Sequence, residues 1–88
     1  MRVRWADRAV RDVAEAFDYI AADKEGAAER FAERLLDAGN GLAEVPMLGR
    51  SIGGGRRVLV VDRYLVFYRL ARGEVQILRV VHGARRRR

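Results

Sequence analysis

The chain has 88 residues, half of them hydrophobic and 34% charged, with a formal net charge of +6, a single histidine and no cysteine. That length supports one domain around one core, and the lack of Cys excludes disulfide scaffolds, thiolate metal sites and cysteine nucleophiles. One histidine leaves no zinc constellation, so neither metal nor cofactor is expected. No apolar run approaches the roughly 20 residues of a membrane helix. The start, Met1-Arg-Val-Arg-Trp-Ala-Asp7, has no secretory apolar core, which points to a soluble cytoplasmic domain with no membrane partner.

In chain order, Val3 and Trp5 alternate with Arg2 and Arg4, the period of a short half-buried strand. From Asp7 the period changes: Val10, Val13, Phe17 and Ile20 form one helical stripe. Asp7 with Arg11 and Arg8 with Asp12 are spaced as surface ion pairs on its exposed side. Asp23 is a candidate cap for a second helix, on which Ala28, Phe31, Leu35, Ala38 and Leu42 make the apolar stripe. The short Ala-Ala-Asp-Lys connection predicts an antiparallel helical hairpin. Gly39, Gly41 and Pro46 end it and open a loop running through Gly49, Arg50 and Gly53-Gly54-Gly55.

Val58–Val61, Tyr64–Leu70 and Glu74–Val81 are rich in β-branched and aromatic residues and predict a β-meander, with connections at Asp62-Arg63 and Ala71-Arg72-Gly73. Pairing across these connections puts Val58, Val60, Leu65, Phe67, Val75 and Ile77 on one face with Arg56, Arg69 and Arg79. Leu59, Val61, Tyr64, Val66, Tyr68, Leu78 and Val80 take the other. Two helices cover only one face. The arginine-bearing face is therefore expected to be open and to mark a partner site.

Charge is segregated along the chain. Residues 1–49 carry a net charge of −3 and residues 50–88 a net charge of +9, a polarity that suits an anionic partner. Residues 1–84 are expected to be the domain, and Arg85, Arg86, Arg87 and Arg88 a basic tail that serves either solubility or contact with an anionic target.

The order β-α-α-β-β-β, with Pro46…Gly49-Arg50, Arg63-Tyr64-Leu-Val-Phe-Tyr68 and Ile77-Leu-Arg-Val-Val-His82-Gly-Ala-Arg85, resembles the RelE/ParE superfamily of type II toxins. The resemblance implies an α+β fold, a helical hairpin packed on a mainly antiparallel sheet. It also implies a small bacterial toxin held in a hetero-oligomer by a cognate antitoxin encoded beside it. RelE-like members cleave ribosome-bound mRNA, chemistry that needs placed cations and proton carriers. Where that branch commonly has an Arg after the Tyr opening the penultimate strand, this chain has Leu65. Gly83 stands where a second Arg commonly follows the basic residue ending the last strand, and no Tyr occurs near the C-terminus.

Gly49-Arg50, Arg63-Tyr64 and Val81-His82-Gly-Ala-Arg85 are similar to the ParE branch, whose characterised members poison DNA gyrase without hydrolysing RNA. The resemblance thus implies a gyrase inhibitor that acts by binding, neutralised by a ParD-like antitoxin with an acidic C-terminal segment. A RelE-like ribosome-dependent endoribonuclease is the alternative. No catalytic residue is assigned. Candidate contacts with target or antitoxin are Arg56, Leu65, Phe67, Arg69, Arg79, His82, Arg85 and Arg86, and Trp5 is the candidate for the antitoxin groove. His82 reads either as a phosphate contact or general acid, or as a hydrogen-bonded residue closing the sheet. Trp5 reads equally as core packing. The triple glycine lacks the context of a phosphate cradle and reads as a hairpin connection.

Overall fold

A computed structural model describes residues 1–84, so the tail expected at 85–88 lies outside the described residues. The elements are β1 (Arg2–Trp5), α1 (Asp7–Asp23), α2 (Ala27–Asn40), a 3₁₀ turn (Gly41–Ala43), β2 (Arg50–Gly53), β3 (Arg56–Val61), β4 (Tyr64–Ala71) and β5 (Glu74–His82). They build one five-stranded sheet in the order β1-β5-β4-β3-β2. β1 lies parallel to β5, because the helical hairpin carries the chain across the sheet, and every other pair is antiparallel. This is the α+β architecture that the residue pattern predicts, with one strand added. The sequence pattern predicts loop at β2 because Arg50-Ser-Ile-Gly53 is too short to display a period; it pairs with β3 through an irregularity between Ser51 and Gly53.

The second apolar stripe is buried as expected, although α2 runs through Gly39 and Leu42 falls in the 3₁₀ turn beyond it. Ala28, Phe31, Leu35 and Leu42 are buried, and Ala38 packs against the core. The first is rotated. The sheet receives the side of α1 bearing Ala9, Asp12 and Ala16, with Val13 and Ile20 partly buried against it. Val10, expected in the core stripe, is 53% exposed. Small Ala9 and Ala16 let the helix approach the strands closely. The larger Val10 and Phe17 are then turned to its flank. Asp23 is not a cap: α1 runs through it, and α2 starts after Gly26, whose φ of 82° makes the reversal.

The face assignment of β5 also needs correction. Val75 and Ile77 were expected beside the arginines, but both are fully buried beneath the helices. The β4–β5 connection has two residues, Arg72 and Gly73, both at positive φ, and Ala71 pairs with Glu74 instead of belonging to the turn. That one-residue difference puts Val75 opposite Leu70 and Ile77 opposite Tyr68, on the core side. The register then slips: Tyr68 faces Ile77 while Phe67 faces Arg79, leaving Leu78 as the extra residue of a β-bulge. Beyond it Val80 returns to the core, so the buried spacing along β5 is two and then three residues.

Two glycines permit the closest approaches. A Cβ on Gly39 would stand 2.5 Å from Trp5 Cζ2, and one on Gly49 would stand 2.7 Å from Tyr68 Cε1 and from the Val58 carbonyl oxygen. Tyr68 fixes the loop before β2: its hydroxyl donates to the Pro46 carbonyl and accepts from the Gly49 amide, each at 2.8 Å. Gly39→Ala forces the Trp5 ring off its seat. It is expected to cost about 1–3 kcal/mol of stability, read by urea unfolding through the chain's one tryptophan.

Candidate functional site

The helices cover the side of the sheet that presents Tyr64, Val66, Tyr68, Val75, Ile77 and Val80. The opposite side carries four cross-strand rows, of which the outermost is Ala71, Glu74 and Arg2. The other three are Val60, Leu65 and Val81; Arg50, Val58, Phe67 and Arg79; and Arg56, Arg69, Gln76 and Arg4. Val58 is buried, against expectation, Leu65 and Phe67 are half-buried, Arg56 and Arg69 are exposed, and Val60 is 61% exposed. The arginine-bearing face is thus the one without helices, as expected.

Its cations are held in an ordered chain. Arg69 Nε donates to Gln76 Oε1 at 2.8 Å, Gln76 Nε2 donates to Glu74 Oε2 at 2.9 Å, and Arg4 Nε donates to the same oxygen at 3.0 Å. The Gln76 amide, and next to it Arg4, hold the Glu74 carboxyl below its ordinary value of 4.5.

Arg79 leaves this face. It occupies the open side by register but turns round the edge of β5, where its Nε meets Asp12 Oδ2 at 2.8 Å and its Nη2 meets Oδ1 at 3.3 Å. Asp12, expected on the exposed side of its helix, has a side chain only 4% exposed. It also accepts from Arg8 Nε at 3.2 Å and from the Val80 backbone amide at 2.8 Å. The bond from Asp12 raises the guanidinium of Arg79 above its usual value, against the opposing pull of burial. Arg8, Asp12, Glu15, Arg79 and His82 border a polar hollow of about 310 Å³ along this edge.

His82 is not on the arginine face. It pairs with Tyr64 on the helix side, with ring centroids 5.1 Å apart at 85°, and its Nδ1 accepts from the Ala84 amide at 3.1 Å. Arg85 and Arg86 lie outside the described residues. Trp5 fulfils both of its readings. Its ring abuts Gly39, and its Nε1 donates to Asn40 Oδ1 at 3.0 Å, while it also borders an apolar groove of about 540 Å³ with Val10, Val13, Ala14, Phe17 and Leu36. Sequence reasoning missed Leu36 here, because it lies off the α2 core stripe. It equally missed Asp12, whose spacing from Arg8 matches that of any surface pair.

Comparison with known proteins agrees with this architecture. The profile of the ParE toxin of the type II toxin–antitoxin system parDE matches residues 3–87. Toxin RelE2 of Caulobacter vibrioides is 40% identical over 85 residues, spanning 96% of this chain and 97% of that one. Among solved structures, a chain of the chromosomal ParDE toxin–antitoxin system from P. aeruginosa superposes with a TM-score of 0.83 at 22% identity, over 93% of this chain and 95% of that one. A chain of the RelBE2 toxin–antitoxin complex from Mycobacterium tuberculosis gives 0.69 at 22%, over 92% and 95%. The fold and the shared residues define a type II toxin of the RelE/ParE superfamily. The chain belongs to the ParE toxin family.

Two measurements test this geometry. Asp12→Ala strands Arg79 and the Val80 amide, and is expected to lower unfolding free energy by about 3 kcal/mol. Adding Arg79→Ala to it costs less than the two single losses combined, a coupling that a double-mutant cycle reads. For Glu74 the folded pKa is depressed. Its contribution is therefore present above the unfolded value near 4.5 and is lost as pH falls through the lower folded value. Urea midpoints measured between about pH 6 and pH 3 should fall more for the native chain than for Glu74→Gln.

Proposed function

We propose that this toxin is a ParE-like inhibitor of DNA gyrase, that it acts by binding, and that a ParD-like antitoxin neutralises it. The observation carrying the reading is the Val60, Leu65 and Val81 row. Where RNA cleavage would require a cation and a proton carrier together, this row of the open face presents apolar side chains only. His82 stands on the other side of the sheet beside Tyr64, and Asp12, at the edge, is saturated by Arg8, Arg79 and the Val80 amide. This arrangement supports adhesion over bond cleavage. The ParE profile and the ParDE neighbour support the same branch.

The antitoxin surface in this reading is the groove of Trp5, Val10, Val13, Phe17 and Leu36. Val10 at 53% exposure and Leu36 at 42% offer apolar seats for the i, i+3, i+4 side chains of an amphipathic helix. The two solved neighbours come from toxin–antitoxin systems, which supports a hetero-oligomer here.

Purified toxin added to gyrase and relaxed plasmid is expected to suppress supercoiling. Mapping of mRNA ends after induced expression is expected to show no codon-phased cuts. Cuts in phase with codons would transfer the protein to the RelE-like reading, which the name of the Caulobacter relative favours. Leu36→Asp is expected to leave the toxin folded and to weaken antitoxin binding at least tenfold, about 1.4 kcal/mol or more, in a titration followed by calorimetry. Unchanged affinity would place the antitoxin elsewhere.

A further inference from the structure

We infer that the open sheet face contacts the phosphate backbone of duplex DNA, so that the toxin engages its target in the DNA-bound state; the second half of this inference rests on the gyrase reading. The face presents Arg2, Arg4, Arg50, Arg56 and Arg69, with Arg79 drawn to its rim by Asp12, and among the described residues Glu74 is the one carboxylate in its rows. Arg56 stands directly opposite Arg69. Like charges in that relation destabilise an antiparallel pair, so the free protein gains nothing from the arrangement, whereas an anionic ligand reverses its sign. The arginines are also oriented in advance. Arg69 and Arg4 are each held through Nε by the Gln76–Glu74 chain, which leaves the Nη edge of each guanidinium directed to a ligand that takes bidentate donors, as phosphate does.

The spacing favours a duplex. Strands lie about 4.8 Å apart, so the row from Arg56 through Arg69 and Gln76 to Arg4 crosses roughly 14 Å. That is close to the roughly 12 Å width of a major groove, enough to meet phosphates on both of its walls. Single-stranded nucleic acid is held instead by successive aromatic platforms. Here Phe67 is the one aromatic side chain in the rows of this face, since Trp5, Tyr64 and Tyr68 belong to the helix side. An RNA-stacking surface would need a second.

The test is fluorescence anisotropy of a labelled duplex titrated with the full chain between about 50 and 200 mM salt. Binding is expected to be independent of DNA sequence and to weaken steeply with salt. Arg56→Ala combined with Arg69→Ala should reduce the slope of log K against log salt by about 2, roughly one per lost phosphate contact. Both side chains are exposed, and circular dichroism verifies that the fold survives. Arg11→Ala, which removes one positive charge from the exposed side of α1, should leave the slope unchanged. No duplex binding at the lowest salt overturns the inference, as does binding that survives both sheet substitutions. Tighter binding to single-stranded RNA than to the duplex also overturns it. A supercoiling assay run in parallel separates the two readings. Inhibition without DNA affinity removes this inference and keeps the gyrase reading; DNA affinity without inhibition keeps the phosphate contact and removes gyrase.

Discussion

The carboxylate of Asp12 is the contact on which the rest of this molecule is arranged. β1 pairs with β5 only as far as Trp5 opposite Ile77, so beyond that point β5 is an edge strand with an amide at Val80 and no strand to receive it. Asp12 reaches from α1, takes that amide, and also binds the Arg79 side chain and Arg8. A buried carboxylate is costly unless its lone pairs are filled, and here the filling comes from a strand, from the residue after a bulge, and from its own helix. Such a pair adds little net stability relative to an apolar replacement. Its effect is on register. With Arg79 bound at the edge and Val80 returned to the core, the bulge at Leu78 sits where Asp12 accepts from both the Arg79 side chain and the Val80 amide.

This constraint explains what could be read from the residues and what could not. The stripe from Ala28 to Leu42 was legible because nothing interrupts its period, and the meander was legible from β-branched runs separated by turn residues. The core partners in β5 were not. A bulge adds one residue without changing composition, and Leu78 between Ile77 and Arg79 reads as any strand residue. The turn before it was miscounted because Ala71 suits either a loop or a strand end. Asp12 was placed on the surface because its neighbour Arg8 supplies a familiar pairing four residues away; the partner that buries it lies 67 residues along the chain. Local pattern carries local structure. The candidate site depends on a long-range contact, and so only its residue types, arginines flanking Leu65 and Phe67, were visible beforehand.

The rotation of α1 has a consequence for binding. Its apolar arc is wider than the sheet requires, because Ala9 and Ala16 fill the close approach while Val10 and Phe17 are displaced to the flank. An amphipathic helix in a small domain normally spends its whole apolar arc on the core. Here part of it, with Trp5 and Leu36, stays available as a groove. Trp5 can occupy that border because Gly39 removes the side chain that would collide with its ring, while Asn40 receives its indole N–H. The groove is therefore built from the same contacts that seat β1.

The two surfaces differ in their physics, and each suits a different kind of partner. The groove is apolar, so association there follows buried area and responds weakly to ionic strength. The open face is cationic, exposed and screened, so association there falls as salt rises. The strands of the sheet separate the two, with α1 reaching both: Val10 and Phe17 border the groove, while Asp12 holds Arg79 at the rim of the cationic side. A partner that buries apolar area can thus bind with little dependence on the charges of the opposite face. The net charge of +9 in residues 50–88 is then free to act at longer range, raising encounter rates with polyanions without altering the core that presents it.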